Sequence, residues 1–170
     1  IIPSYTCFSV PSSIIKAGLE IKVCDVDPHT LDYDYQQLAR MDFSRILGIV
    51  SANLYGIPND LARIEKLARE KEVFFIDDAA QCMGGKAAAN RCAGTYGDAG
   101  LFSLDKGKAI TSMNGGIIVT NSSRIASNIR SKIEDLPSPP TTWCAAEVAK
   151  MFVYSLFLRP ELYWIPASLP

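Results

Sequence analysis

The 170-residue chain predicts an α/β fold built on a mostly parallel sheet flanked by helices. Three observations carry this. Short apolar runs rich in β-branched and aromatic residues recur along the chain. Segments with helical spacing alternate with them. The runs end at turn-forming pairs such as Asp27-Pro28 and Asp77-Asp78.

Leu19 to Val26 alternates toward one face and stops at Asp27-Pro28, as a strand does. Ile46 to Ala52 is nearly continuously apolar, the pattern of a strand buried on both faces. Asn59 or Asp60 then caps a helix with Leu61, Ile64, Leu67 and Ala68 on one side and Arg63, Lys66 and Glu70 on the other. Val73 to Ile76, Gly100 to Leu104 and Gly116 to Thr120 read as further strands, the last two split by a loop holding Lys106 and Lys108. Asn121 or Ser122 caps a helix reaching about Glu134, which Pro137 to Pro140 break. A last helix from about Thr142 to Leu158 carries a wide apolar stripe through Val148, Met151, Phe152 and Leu156.

Composition narrows the function. The 17 Lys plus Arg nearly balance 18 Asp plus Glu, with no basic run, so no nucleic-acid partner is expected. An apolar share of 48% is too high for a disordered acidic chain. The richest apolar run, Met151 to Leu158, is far too short to span a bilayer. Five cysteines without C-x-x-C spacing predict a reducing, cytoplasmic location, with neither a disulfide frame nor a metal site. Ile1-Ile2-Pro3 reads as a strand end entering a turn, and Ile165 to Pro170 is still apolar. The chain is therefore expected to be an internal piece of something longer.

Ligands of parallel sheets sit beyond the carboxyl ends of the strands. Asn53 to Gly56, Asp77 to Gln81 and Ser103 to Lys108 fall at those ends, so an amide, an acid, a hydroxyl and a lysine converge on one edge. Singly, each is more often a turn, a cap or a solvated side chain. Together they match the needs of pyridoxal phosphate: a lysine for its aldehyde, an acid for its ring nitrogen, and hydroxyls and amides for its phosphate.

Six segments make the match specific. They are PSYT at 3–6, AGLEIKVCDVDPHTLDYD at 17–34, LYGIPNDLARIEKLA at 54–68, FIDDAAQCMGG at 75–85, GTYGDAGLFSLDKGK at 94–108 and NGGIIVTN at 114–121. In this order they resemble the DegT/DnrJ/StrS family of pyridoxal-phosphate sugar aminotransferases. The resemblance implies the large domain of fold type I, truncated at both ends. Residues 1–136 would be part of that domain, and 137–170 a Pro-rich linker, helix and crossover to a small domain.

The resemblance also assigns residues. The family's lysine lies five positions after the serine of F-S-x and seven before Gly-Gly, which selects Lys108 over Lys106 as the Schiff-base lysine. Asp78 becomes the ring-nitrogen partner, Gln81 the contact beside the ring hydroxyl, and Ser103 a phosphate-binding hydroxyl. Asp77 takes a position usually held by Glu, Asn114 another, and Asn53 one often held by His. Cys7, with Phe8 next, stands where an aromatic commonly stacks on the ring. The implied activity is amino transfer from glutamate or glutamine to a nucleotide-linked keto-sugar by a homodimeric full-length protein, the isolated piece being inactive. Two alternatives stay open: a family member that binds the cofactor without turnover, and a sugar dehydratase, in which a His replaces the lysine. The chain's single histidine is His29, in a turn beside Pro28.

Overall fold

A computed structural model describes residues 1–163. The elements are β1 (Ile2–Pro3), α1 (Ser9–Lys16), β2 (Val23–Cys24), α2 (Tyr35–Arg40), β3 (Gly48–Ala52), α3 (Leu61–Glu70), β4 (Phe74–Asp78), β5 (Ala99–Ser103), β6 (Gly116–Val119), α4 (Ser123–Glu134) and α5 (Thr141–Phe157). The main sheet has the order β3-β4-β5-β6, with the first three strands parallel and β6 antiparallel to β5. The short parallel pair β1-β2 lies alongside, the Val50 amide donating to the Ile1 carbonyl at 3.0 Å.

The core sits on one face of this sheet. Ile49 and Phe75 point into it from β3 and β4, and Leu61, Ile64 and Ala68 close it from α3. α3 forms where the periodicity places it. Asp60 caps it, accepting the Arg63 amide at 3.2 Å, and its charged face stays in solvent. Leu38, Tyr33 and Cys24 extend the core under the 24–38 segment. The Tyr33 hydroxyl donates to the Val50 carbonyl at 2.6 Å, tying that segment to β3.

Four expectations need correcting. The 19–26 run yields only Val23–Cys24 as strand, because β1 offers just two residues to pair with. β3 is not fully buried on both faces: Ile49 and Ser51 are buried on one, whereas on the other Ala52 is buried but Val50 is only half-buried and lines a cavity with Ile76. α1 and α2 arise where no helix is predicted. The apolar residues of α5 do not form a packed stripe. None is buried, and Trp143, Val148, Phe152 and Tyr154 are all exposed. The expected crossover falls partly on residues 164–170, outside the described residues.

Two glycines allow close backbone packing around β5, one against β4 and one against the loop that precedes β5. Gly97 adopts φ +68° against Phe75, and a Cβ on Gly100 would lie 1.8 Å from the Gly94 carbonyl oxygen. Backbone cannot yield that distance. Gly100→Ala is therefore expected to cost at least the roughly 1–3 kcal/mol typical of overpacking, measured by denaturant unfolding.

Candidate active site

The parallel strands end side by side, with Ala52 of β3 in register with Asp78 of β4, and Asp78 with Leu101 of β5. Strand pleating sends alternate side chains to opposite faces. Val50, Ala52, Ile76, Asp78, Leu101 and Ser103 thus form one wall of a cavity of about 440 Å³, within the size range of small-molecule sites. The segment leading into α1, from Thr6 to Val10, and Ser13 and Ile14 of the helix form the other wall.

All four residues singled out in the sequence line this cavity: Asp78, Gln81, Ser103 and Lys108. Lys106 does not; it lies exposed outside the cavity. Lys108 reaches it because the loop after β5 doubles back. The Leu104 amide donates to the Gly115 carbonyl at 2.9 Å, the Ser112 amide to the Leu104 carbonyl at 3.0 Å, and Met113 is buried as the loop's anchor. Within that loop the Lys108 amide donates to Asp105 at 3.3 Å.

The two adjacent aspartates divide between the faces. Asp77 is fully buried on the core side. Its Oδ1 accepts from Asn53 Nδ2 at 2.8 Å and Ser51 Oγ at 3.3 Å, and its Oδ2 from the Gly94 and Tyr96 amides at 2.6 and 3.2 Å. Burial pushes its pKa up, and the four donors pull it back part of the way. Asp78 opens on the cavity. Its Oδ1 takes the Ala80 amide at 2.9 Å, while its Oδ2 takes no donor among the described residues. Its pKa is raised by burial, against the Ala80 amide and the nearby Lys108 ammonium, which lower it.

The donor set fits pyridoxal phosphate. The Lys108 amine has no hydrogen-bond or ion-pair partner among the described residues. Gln81 spends its carbonyl oxygen on the Tyr55 amide at 3.2 Å and keeps its NH₂ group for the cavity. Ser103 Oγ accepts the Asp105 amide at 3.3 Å and keeps its proton to donate. A free amine, a half-free carboxylate, an amide and a hydroxyl around one cavity are the groups this cofactor requires.

Residues 1–134 match the DegT/DnrJ/EryC1/StrS aminotransferase family. The chain belongs to that family. It is 32% identical over 130 residues to GDP-perosamine synthase of Caulobacter vibrioides, covering 76% of this chain and 35% of that protein. Among solved structures, DesI with its TDP-sugar product superposes with a TM-score of 0.71 at 33% identity, covering 76% of this chain and 33% of that one. The GDP-4-keto-6-deoxy-D-mannose-3-dehydratase of E. coli, with bound hydrated PLP, gives 0.67 at 31% identity, covering 73% of this chain and 32% of that one. Pyridoxal phosphate is thus the cofactor of the family's fold. The chain spans about a third of the length of the relatives it matches. Among the described residues, no helix is long and apolar enough to cross a membrane, and no cluster of His, Cys, Asp and Glu could hold a metal ion.

Sequence reasoning places Asn53 at the site edge but misses its task. Asn53 is buried, and its Nδ2 donates to both Asp77 Oδ1 and the Asp78 carbonyl, the latter at 2.7 Å. Its amide fastens the strand end, at the edge of the cavity that the residue also helps line. The same knot yields a prediction. In Asp77→Asn the new NH₂ group must face two of the four donors. The change is expected to cost about 2–6 kcal/mol of stability in denaturant unfolding, since each of the two buried partners left unmatched costs about 1–3 kcal/mol.

Proposed function

We propose that this chain is the cofactor-binding part of a pyridoxal-phosphate aminotransferase that transfers an amino group to a nucleotide-linked keto-sugar. One observation carries the reading: Asp78, Gln81, Ser103 and Lys108 come from two chain segments distant in sequence, 78–81 and 103–108, yet line one cavity. In the whole protein, residues 1–136 would belong to the cofactor domain and 137–170 would lead out of it. The whole protein would act as a cytoplasmic homodimer.

When bound, pyridoxal phosphate supplies an electron-withdrawing ring that stabilises negative charge at the amino-bearing carbon. The rest falls to the chain. Lys108 would hold the group through Nζ, and its free amine would be the base that takes up a proton and returns it. Asp78 Oδ2, open to the cavity, would accept a hydrogen bond from the ring N–H and so keep the proton, and the positive charge, on that nitrogen. The Ser103 hydroxyl would be available to the phosphate, and the Gln81 NH₂ group to the ring hydroxyl. Val50, Ile76 and Leu101 give the cavity an apolar wall on the sheet side.

The amino donor would be glutamate or glutamine, as the family resemblance implies. The keto-sugar reading draws support from the sugar-modifying relatives, GDP-perosamine synthase and DesI with its TDP-sugar product. The likeness to a 3-dehydratase favours a second reading, sugar dehydration on the same cofactor. Lys108 at the cavity argues for transamination instead. His29 lies on a different cavity, beside Asp27, Asp60 and Arg63, and is out of place for a histidine base at the site.

Borohydride reduction of the whole protein with pyridoxal phosphate, followed by peptide mass mapping, is expected to fix the label on Lys108. Label on Lys106 contradicts the assignment. Asp78→Asn is expected to lower the transamination rate by roughly 10³-fold, because the amide cannot hold a proton on the ring nitrogen. A loss below about tenfold contradicts that role.

A further inference from the structure

The turn after β3 holds a residue that its backbone does not favour. Leu54 to Ile57 turn tightly, the Ile57 amide donating to the Leu54 carbonyl at 2.9 Å. Both central residues have positive φ, +55° at Tyr55 and +79° at Gly56. Turns of this mirror-image kind prefer glycine, asparagine or aspartate at those places. Gly56 fits. Tyr55 does not, because a Cβ in the left-handed region crowds the carbonyl oxygen that follows it. Such a residue persists where its surroundings over-determine it. Core packing is not the reason here, since Tyr55 is 64% exposed. Its hydroxyl instead meets the Tyr5 hydroxyl at 2.5 Å. Tyr5 follows a fixed residue, the Ser4 amide donating to the Cys24 carbonyl at 2.8 Å. The phenol pair thus reaches from the segment that leads into α1 across to the turn after β3.

The same turn presents a donor to the site. The Tyr55 amide donates to Gln81 Oε1 at 3.2 Å, the one hydrogen bond of that side chain among the described residues. Gln81 is exposed, so packing does not decide which way round its amide sits. Engaging the carbonyl oxygen leaves the NH₂ group, with its two donors, for the cavity that Gln81 lines. Tyr5 and Tyr55 do not line that cavity. We propose that Tyr5 is a positioning residue of the cofactor site, clasping the Tyr55 turn whose amide aims the Gln81 NH₂ group into the cavity. This rests on the cofactor reading above and adds the device that sets one of its contacts in advance of binding.

Absorbance titration of the whole protein with pyridoxal phosphate tests it. Tyr5→Phe and Tyr55→Phe each delete one hydroxyl of an exposed pair, so the fold tolerates both. Each should lower the affinity about fivefold, the worth of one modest hydrogen bond. Gln81→Ala should lower it about tenfold. Adding Tyr5→Phe to Gln81→Ala should then change it less than about twofold, because the group being aimed is gone. Tyr55→Asn should restore Tyr5→Phe to within about twofold of the parent, since asparagine adopts the left-handed turn without a clasp. A merely structural clasp gives neither the lost effect nor the rescue. Parent-like affinity in Tyr5→Phe overturns the proposal, as does a loss that persists in the Gln81→Ala background or that Tyr55→Asn fails to mend. Parent-like affinity in Gln81→Ala overturns it too, while leaving the cofactor reading intact. A parent protein that does not bind pyridoxal phosphate removes both.

Discussion

The site depends on how the end of β4 resolves two adjacent carboxylates. Pleating forces Asp77 and Asp78 onto opposite faces, so one must enter the core without a cation beside it. An ionised carboxylate is costly there unless its lone pairs are filled. Four donors fill them: a hydroxyl from β3, the Asn53 amide beyond it, and the Gly94 and Tyr96 amides from the loop before β5. The inward carboxylate thereby stitches three chain segments together at the point where the outward one must be held still. Removing any one donor would loosen the platform that aims Asp78.

The stitching extends away from the cavity. Asn53 Oδ1 accepts the Asn59 amide at 3.0 Å, and Asn59 Nδ2 donates to Asp32 at 2.7 Å. Asp32 also accepts from the Tyr35 hydroxyl and the Asp60 amide, both at 2.7 Å. The start of α3 and the 25–35 segment are thus tied to the end of β4 through one buried polar chain. In such a chain each bond polarises the next, and a gap anywhere leaves a buried group unpaired. On the other side of α3, Glu65 plays a matching part. It accepts from Arg91 and Arg69 and from the Gly97 amide at 2.9 Å, which braces the glycine-rich turn beneath β5. The outward face stays free of such commitments, and that leaves Lys108, Asp78 Oδ2 and the Gln81 amide available for chemistry.

What the sequence conveyed followed periodicity. α3 and α4 stand out because the apolar spacing and the capping residues Asp60 and Ser122 agree. β4 and β5 stand out as apolar runs closed by polar pairs. α1 is hidden because Ser9-Val10-Pro11-Ser12-Ser13 has neither an apolar stripe nor a side-chain cap. α2, at six residues, is too short for a period to register. The antiparallel direction of β6 is invisible in principle, since alternation carries no sense of strand direction. At the site, alternation shows that Asp77 and Asp78 face apart, but not which one enters the core. The family resemblance made that choice.

The central claim is this division of labour at the end of β4, with Asp78 toward the ligand and Asp77 toward the core. Carbon-13 spectra of aspartate-labelled protein, with side-chain carboxyl carbons assigned by substitution, test it directly. Adding pyridoxal phosphate should move the Asp78 resonance and leave the Asp77 resonance in place. A large shift at Asp77 with none at Asp78 would contradict the account.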